Sequence, residues 1–350
     1  LSLVYSDKSA TCSCKLAILR PKEGKNAELL ATFLRGKYGQ AQITRFTRGA
    51  VQKGLILEDM DQLVVPVFGD GIVEAIRNAI QSAYQIQEKA NNCYREAQRT
   101  LVNSVGSISV PAESVSVRNI STSFYTTGRL DAEYYQPKYD ALFTALSTIK
   151  TKKLGGAHGI VNIEKSIEPG SEVYVEDGIP FVRVSDVSKF EISEPEVKLR
   201  NDILPNPEVL FPQKDTILLS KDGSVGIAYK TESTMPVITS GALLHLTVRN
   251  KAEVLPDYLT LVLNSPIVQL QAERDSNGAI IQHWKPSEIE NVIIPILDMD
   301  IQKEIATKVQ ESFALRKQSK QLLEYAKQAV EMAIEQGEDV AMEWLKDKVN

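Results

Sequence analysis

The chain is poor in the side chains that carry covalent and redox chemistry: its 350 residues include three histidines, three cysteines and two tryptophans. Cys12, Cys14 and Cys93 are too few for a disulfide framework, and Cys12 and Cys14 lack the second ligand pair a zinc site requires. His158, His245 and His283 stand at no metal-ligand spacing and beside no G-x-S-x-G nucleophile, so they read as core or surface residues. No apolar run reaches the roughly 18 residues of a spanning helix, and no basic stretch followed by an apolar one opens the sequence. No membrane segment is therefore expected, and the cytoplasm is the expected compartment. A Gly-rich loop for an adenosyl cofactor and an Asn-Pro-Pro-Tyr or Asp-Pro-Pro-Tyr tetrad are both missing. The stretch from Ser220 to Gly226 is followed by no Gly-Lys-Ser/Thr, so it reads as a β-turn, one that presents Lys221 if the protein meets DNA. A dominant charge is lacking too: 40 basic against 45 acidic residues give a net charge of -5, which excludes nucleic-acid binding by bulk charge alone.

What is present is an ordinary folded composition, 43% hydrophobic and 24% charged, in a chain long enough for two or three domains. The charge is uneven: from Lys15 to Lys53 nine basic residues face only Glu23 and Glu28. An internal repeat organises the sequence. Leu30, Leu34, Gln40, Gln42, Arg45, Gly49, Ala50 and Pro66 recur without a gap 229 positions later as Leu259, Leu263, Gln269, Gln271, Arg274, Gly278, Ala279 and Pro295. The same offset pairs Arg20 with Arg249 and carries Ile72, Ile76, Ile80 and Tyr84 onto Ile301, Ile305, Val309 and Phe313.

The four-residue spacing of that last set places it near one helical face. Residues 72–102 and 300–334 are otherwise rich in Gln, Glu, Lys and Ala, and each reads as a helix of about 45 Å at 1.5 Å per residue. A long helix with a narrow apolar stripe is stable when the stripe meets another, so the two are expected to pair antiparallel; the alternative is that each packs on its own globule. Around them the fold class is α+β. Strands are expected at 179–187, 215–220, 225–230 and 243–248, and helices at 26–45, 131–146 and 255–274. The expected domains are 1–69, the second half of a first globule; 70–105, a central spacer helix; 106–298, a complete second globule; and 299–350, a C-terminal spacer helix and tail. Because Leu1 aligns with Lys230, the first globule is expected to lack its N-terminal half and the chain to be a truncated product or fragment.

Chemistry is nearly absent. Asp186 with Glu196 and Lys198 imitates the carboxylate, carboxylate, lysine set of Mg-dependent DNA nucleases, one alternative to a noncatalytic role. A coiled-coil scaffold without a DNA role is another.

Residues 128–139 (GRLDAEYYQPKY), 179–186 (IPFVRVSD) and 219–226 (LSKDGSVG), with the recurring segments 49–66 and 278–295, resemble the specificity subunit of type I restriction-modification enzymes over essentially the whole chain. The resemblance implies that each globule is a target recognition domain reading half of a split double-stranded DNA site, and that the paired helices set the distance between the halves. It implies a chain that is not itself an enzyme, docked with DNA adenine methyltransferase (modification) subunits and restriction motor-nuclease subunits. S-adenosylmethionine, ATP and Mg would then belong to those partners. Residue type suggests Arg183, Lys221, Ser224, Asn277, Gln282, His283 and Lys285 as DNA contacts of the second globule, and Arg48, Gln52 and Lys53 of the first. Arg45 and Arg274, shared by both repeats, fit a structural role better, and Trp284 is expected to be buried.

Overall fold

The computed structural model describes residues 3–4, 11–22, 26–49, 53–106, 115–276, 278 and 282–349. Two compact units divide the chain, one formed by Leu1–Asn92 with Ser312–Asn350 and the other by Cys93–Glu311. The division falls inside the two long helices.

In the first unit, α1 (Ala27–Arg35), α2 (Lys37–Phe46) and α3 (Leu57–Met60) precede α4 (Asp70–Val105), whose bounds are those expected of the central helix. Asn26 starts α1 by accepting the Leu29 amide at 2.7 Å. Leu29, Phe33 and Leu34 of α1 pack with Ile72, Ile76 and Ile80 of α4 and with Ala326, Ala329 and Val330, in a core where each large aliphatic side chain contributes about 1.5–3 kcal/mol.

The second unit contains α5 (Phe124–Thr127), α6 (Pro137–Ser147), β1 (Thr151–Lys153), β2 (Val161–Lys165), β3 (Tyr174–Val175), β4 (Ile179–Val182), β5 (Lys198–Leu199), β6 (Ile217–Ser220), β7 (Ala228–Lys230), β8 (Ile238–Thr239) and β9 (Leu243–Val248). Then follow α7 (Pro256–Leu263), α8 (Pro266–Asp275), α9 (Pro286–Glu290) and β10 (Ile293–Pro295). One antiparallel sheet has the order β2-β9-β6-β7; a second, β3-β5-β4-β8, closes with a parallel pair; β1 and β10 form a two-stranded ribbon. After β10 come α10 (Met299–Gln336) and α11 (Glu338–Val349), so the expected tail is a further helix. Gly337 separates these two helices at a φ of 99°, a conformation that favours glycine.

The expected element bounds need correction where turn chemistry intervenes. The strand expected at 179–187 ends at Val182, because the Asp186 carboxylate accepts the Arg183 amide at 2.8 Å and closes a 3-10 turn. The strand expected from Asp215 begins at Ile217, after Asp215 itself at a φ of 66°, and the one expected from Val225 begins at Ala228. The helix expected at 131–146 is a 3-10 turn followed by α6, broken before Pro137. The helix expected at 255–274 is α7 and α8, parted at extended Ser265 before Pro266; the one at 26–45 is α1 and α2, parted at the equivalent Gly36.

The 229-residue offset is therefore structural as well as sequential. It carries the first residues of α1, α2, α3 and α4 onto those of α7, α8, α9 and α10. The recurring glutamines explain why. Gln271 brackets β10, its Nε2 donating to the Ile293 carbonyl at 2.9 Å and its Oε1 accepting the Ile293 amide at 2.8 Å; Gln42 does the same to Val64 at 3.0 and 2.8 Å. Gln269 and Gln40 cap the break between paired helices through the Leu263 and Leu34 carbonyls.

The long helices run antiparallel in each unit. Ser319 Oγ donates to the Ala83 carbonyl and Ser312 Oγ to the Ala90 carbonyl, each at 2.8 Å. All four residues are buried and seven apart on their helices, so small side chains bring the backbones together at a heptad period. By the repeat, Ala83 is equivalent to Ser312 and Ala90 to Ser319: equivalent positions exchange partners, the pattern of an isologous contact. In the second unit the Lys308–Glu96 ion pair (2.9 Å) and the Thr100–Glu304 hydrogen bond (3.1 Å) link the two helices. Of the residues expected to pair the helices, Ile72, Ile76, Ile80, Ile305 and Val309 are buried, whereas Tyr84, Ile301 and Phe313 are half-buried.

Candidate nucleic-acid interface

The second unit gathers five of the ten residues singled out for DNA contact at one loop pair. Residues 221–226 connect β6 to β7, and their turn requires Gly223 and Gly226 at φ of 73° and 86°. Buried Ser220 braces the loop from below, its hydroxyl donating to the Ser224 carbonyl and accepting the Ile227 amide at 2.8 Å. Against this loop lies the segment 282–285. Gly223 donates its amide to the Gln282 carbonyl at 2.9 Å, Trp284 donates to the Lys221 carbonyl at 2.8 Å, and Asp222 faces His283 in an isolated antiparallel bridge. Trp284 anchors the segment, its side chain buried as expected.

Lys221, Ser224, Gln282 and His283 thus come together, with Lys285 adjacent in sequence. Ser224, Gln282, His283 and Lys285 are exposed, while the Lys221 side chain keeps only 14% of its surface. Asn277 and Gln52 lie outside the described residues. Arg183 stands elsewhere, at the end of β4, held by Asp186. In the first unit Arg48 pairs with Asp59 at 2.8 Å and bridges Gly54 through its backbone, and Lys53 is exposed.

Sequence reasoning passed over Asp222. Its Oδ1 accepts His283 Nδ1 at 2.8 Å, and its Oδ2 holds the Lys221 ammonium. Burial acts to raise this carboxyl, but the hydrogen bonds from Lys221 and His283 outweigh it and keep the group below the ordinary aspartate range. Lys285 is likewise countered by Glu288, which also accepts the Lys285 amide at 3.0 Å. The cations of this surface are thus matched by carboxylates.

Other groups serve the fold. Arg274 lies over the rings of Phe143 and Tyr134 and pairs with Asp275. His245 hydrogen-bonds Thr239 at 2.8 Å, and burial pushes its imidazole down to about 4. Lys230, buried among Asp215, Glu232 and Asp257, links β7 to α7, and Asp257 accepts from Gln310 of α10. The nuclease alternative finds no assembled site. Asp186 is committed to Arg183, Lys198 lies nearest Asp177 at 3.7 Å, and no group of three or more His, Cys, Asp or Glu among the described residues could hold a metal.

The second unit is thus a mixed α+β globule with a paired-loop surface, and its helical frame from α7 to α10 recurs in the first unit as α1 to α4. Residues 147–325 match the family described as type I restriction modification DNA specificity domain, and the chain belongs to that family. Among solved structures it is similar to the S subunit of a type I restriction-modification system from M. genitalium: 15% identity, 91% of this chain and 72% of that one, TM-score 0.40. It is also similar to the HsdS subunit from Thermoanaerobacter tengcongensis: 14% identity, 89% and 70% coverage, TM-score 0.37. No curated protein matches the chain. No helix among the described residues is long and apolar enough to cross a membrane.

Proposed function

We propose that this chain reads a split double-stranded DNA site and directs adenine methylation or cleavage by partner subunits of a type I restriction-modification assembly. The family match over residues 147–325 carries the reading. The in-frame repeat and the isologous helix contact support it, because two-fold related readers are how dimeric repressors address two half-sites at a set spacing. The loop pair 221–226 and 282–285 reads bases from the second globule, through Lys221, Ser224, Gln282, His283 and Lys285. The chain is noncatalytic. DNA adenine methyltransferase subunits bring S-adenosylmethionine, motor-nuclease subunits bring ATP and Mg, and the assembly works in the cytoplasm, where the partners supply the phosphate contacts that a net charge of -5 does not.

The test is to map N6-methyladenine across the source genome with the gene present and deleted. Loss of one split methylated motif on deletion is expected; an unchanged methylation pattern contradicts the proposal.

A further inference from the structure

The cations at the tip of the second globule are already occupied. Asp222 stands between Lys221 and His283, one carboxylate oxygen on each, and the backbone bridge to His283 and the amide of Gly223 on the Gln282 carbonyl fix it there. Lys221 and Lys285 are each matched by a carboxylate, Asp222 and Glu288. A surface built for tight phosphate binding would leave these donors open. A carboxylate with two acceptor oxygens on a lysine and an imidazole instead stands where a backbone phosphate would bind them.

We propose that Asp222 sets the affinity threshold of the second globule: it occupies Lys221 and His283 in the free protein, so that any DNA must displace it to use them and only a site whose bases add further contacts stays bound. The inference rests on the DNA-reading function proposed above. Displacing an intramolecular competitor costs the right and the wrong sequence the same free energy, so both affinities fall by one factor, and arbitrary DNA leaves the bound state first because it binds more weakly to begin with. Asp222 touches no base in this account. It positions two side chains that do, and it sets the electrostatic threshold for their release.

The test uses the full-length chain assembled with its modification subunits and a short labelled duplex of mixed sequence, titrated over a range of salt, with the melting temperature of each variant recorded. Asp222→Asn removes the charge at constant shape. It is expected to bind the mixed duplex about three- to tenfold tighter, with the slope of log affinity against log salt steeper by about 0.9, one extra phosphate contact. Asp222→Glu keeps the charge and is expected to keep the parent slope. Adding Lys221→Gln to Asp222→Asn is expected to abolish the gain, because Lys221 is the cation set free. The ratio of affinities for the genomic methylated motif and the mixed duplex is expected to stay at the parent value in Asp222→Asn, because both gain alike, while occupancy of the mixed duplex at a fixed concentration rises. If Asp222→Asn and Asp222→Glu both bind the mixed duplex as the parent does, or both weaken binding alike, Asp222 is only a loop brace and the inference fails while the DNA-reading function stands. If no form binds any duplex, both fall together.

Discussion

Residues 26–105 and 255–336 share one frame, yet the same positions meet different surroundings. Ile294 is fully buried and Ile296 is 7% exposed, whereas their counterparts Val65 and Val67 are 37% and 84% exposed. In the second repeat β10 pairs with β1, and α8 packs against α6. In the first repeat the segment equivalent to β10 has no strand partner among the described residues, although Gln42 holds it as Gln271 holds β10. The frame of helix, break, helix, short helix and long helix is thus set by local capping and by glutamine braces. The apolar cover is a separate contribution from residues 131–165, and the frame keeps its form in the first repeat, where the described residues supply no such cover.

The comparison can be broken most severely where the repeats pair. Ile305→Asp together with Val309→Asp places charge in the buried stripe of α10, and a loss on the order of several kcal/mol with loss of subunit assembly is expected; unchanged thermal stability would show that the stripe is not a packing seam. The braces give a graded contrast. Gln271→Ala removes a buried side chain and orphans the half-buried amide and carbonyl of Ile293, and is expected to cost about 2–4 kcal/mol, whereas Gln42→Ala, whose strand segment is open to water, is expected to cost below about 1 kcal/mol. Equal costs in denaturant unfolding would mean that cover does not set the value of the brace.

A third, smaller effect concerns the second globule alone. His245 has a folded pKa of about 4 against an ordinary 6.5, so the unfolded chain binds the extra proton between these values. The contribution to stability is fully present above about pH 6.5 and is lost as pH falls towards 4, amounting to on the order of 3 kcal/mol. In the variant His245→Gln the dependence of melting temperature on pH across this window is expected to flatten; an unchanged slope would assign the dependence to other groups.

The repeat was legible in the sequence because the braces and caps are side chains whose identities recur at one offset. The seam was less so. Hydrophobic pattern weights large residues, and it drew attention to Tyr84, Ile301 and Phe313, which are half-buried, while side-chain-to-backbone hydrogen bonds between the helices lie at Ala83, Ala90, Ser312 and Ser319. The helix breaks at Ser265 and Gln136 follow from the prolines after them, a local signal outweighed by the apolar periodicity on either side. Lys221, Ser224, Gln282 and His283 were recognisable by type, but Asp222 was not, because its partner His283 lies 61 positions away and only the fold brings them together.

The central claim is that the antiparallel helices act as a spacer between two readers. Its most direct test is to insert seven residues into both helices at facing positions, between Ile86 and Gln87 and between Leu315 and Arg316, and to sequence the methylated adenines of cells carrying the altered chain. Seven residues keep the heptad phase and add about 10.5 Å of helix, at most about three base pairs of B-form DNA. The account predicts unchanged half-site bases separated by a longer gap; an unchanged gap, or altered bases at an unchanged gap, would contradict it.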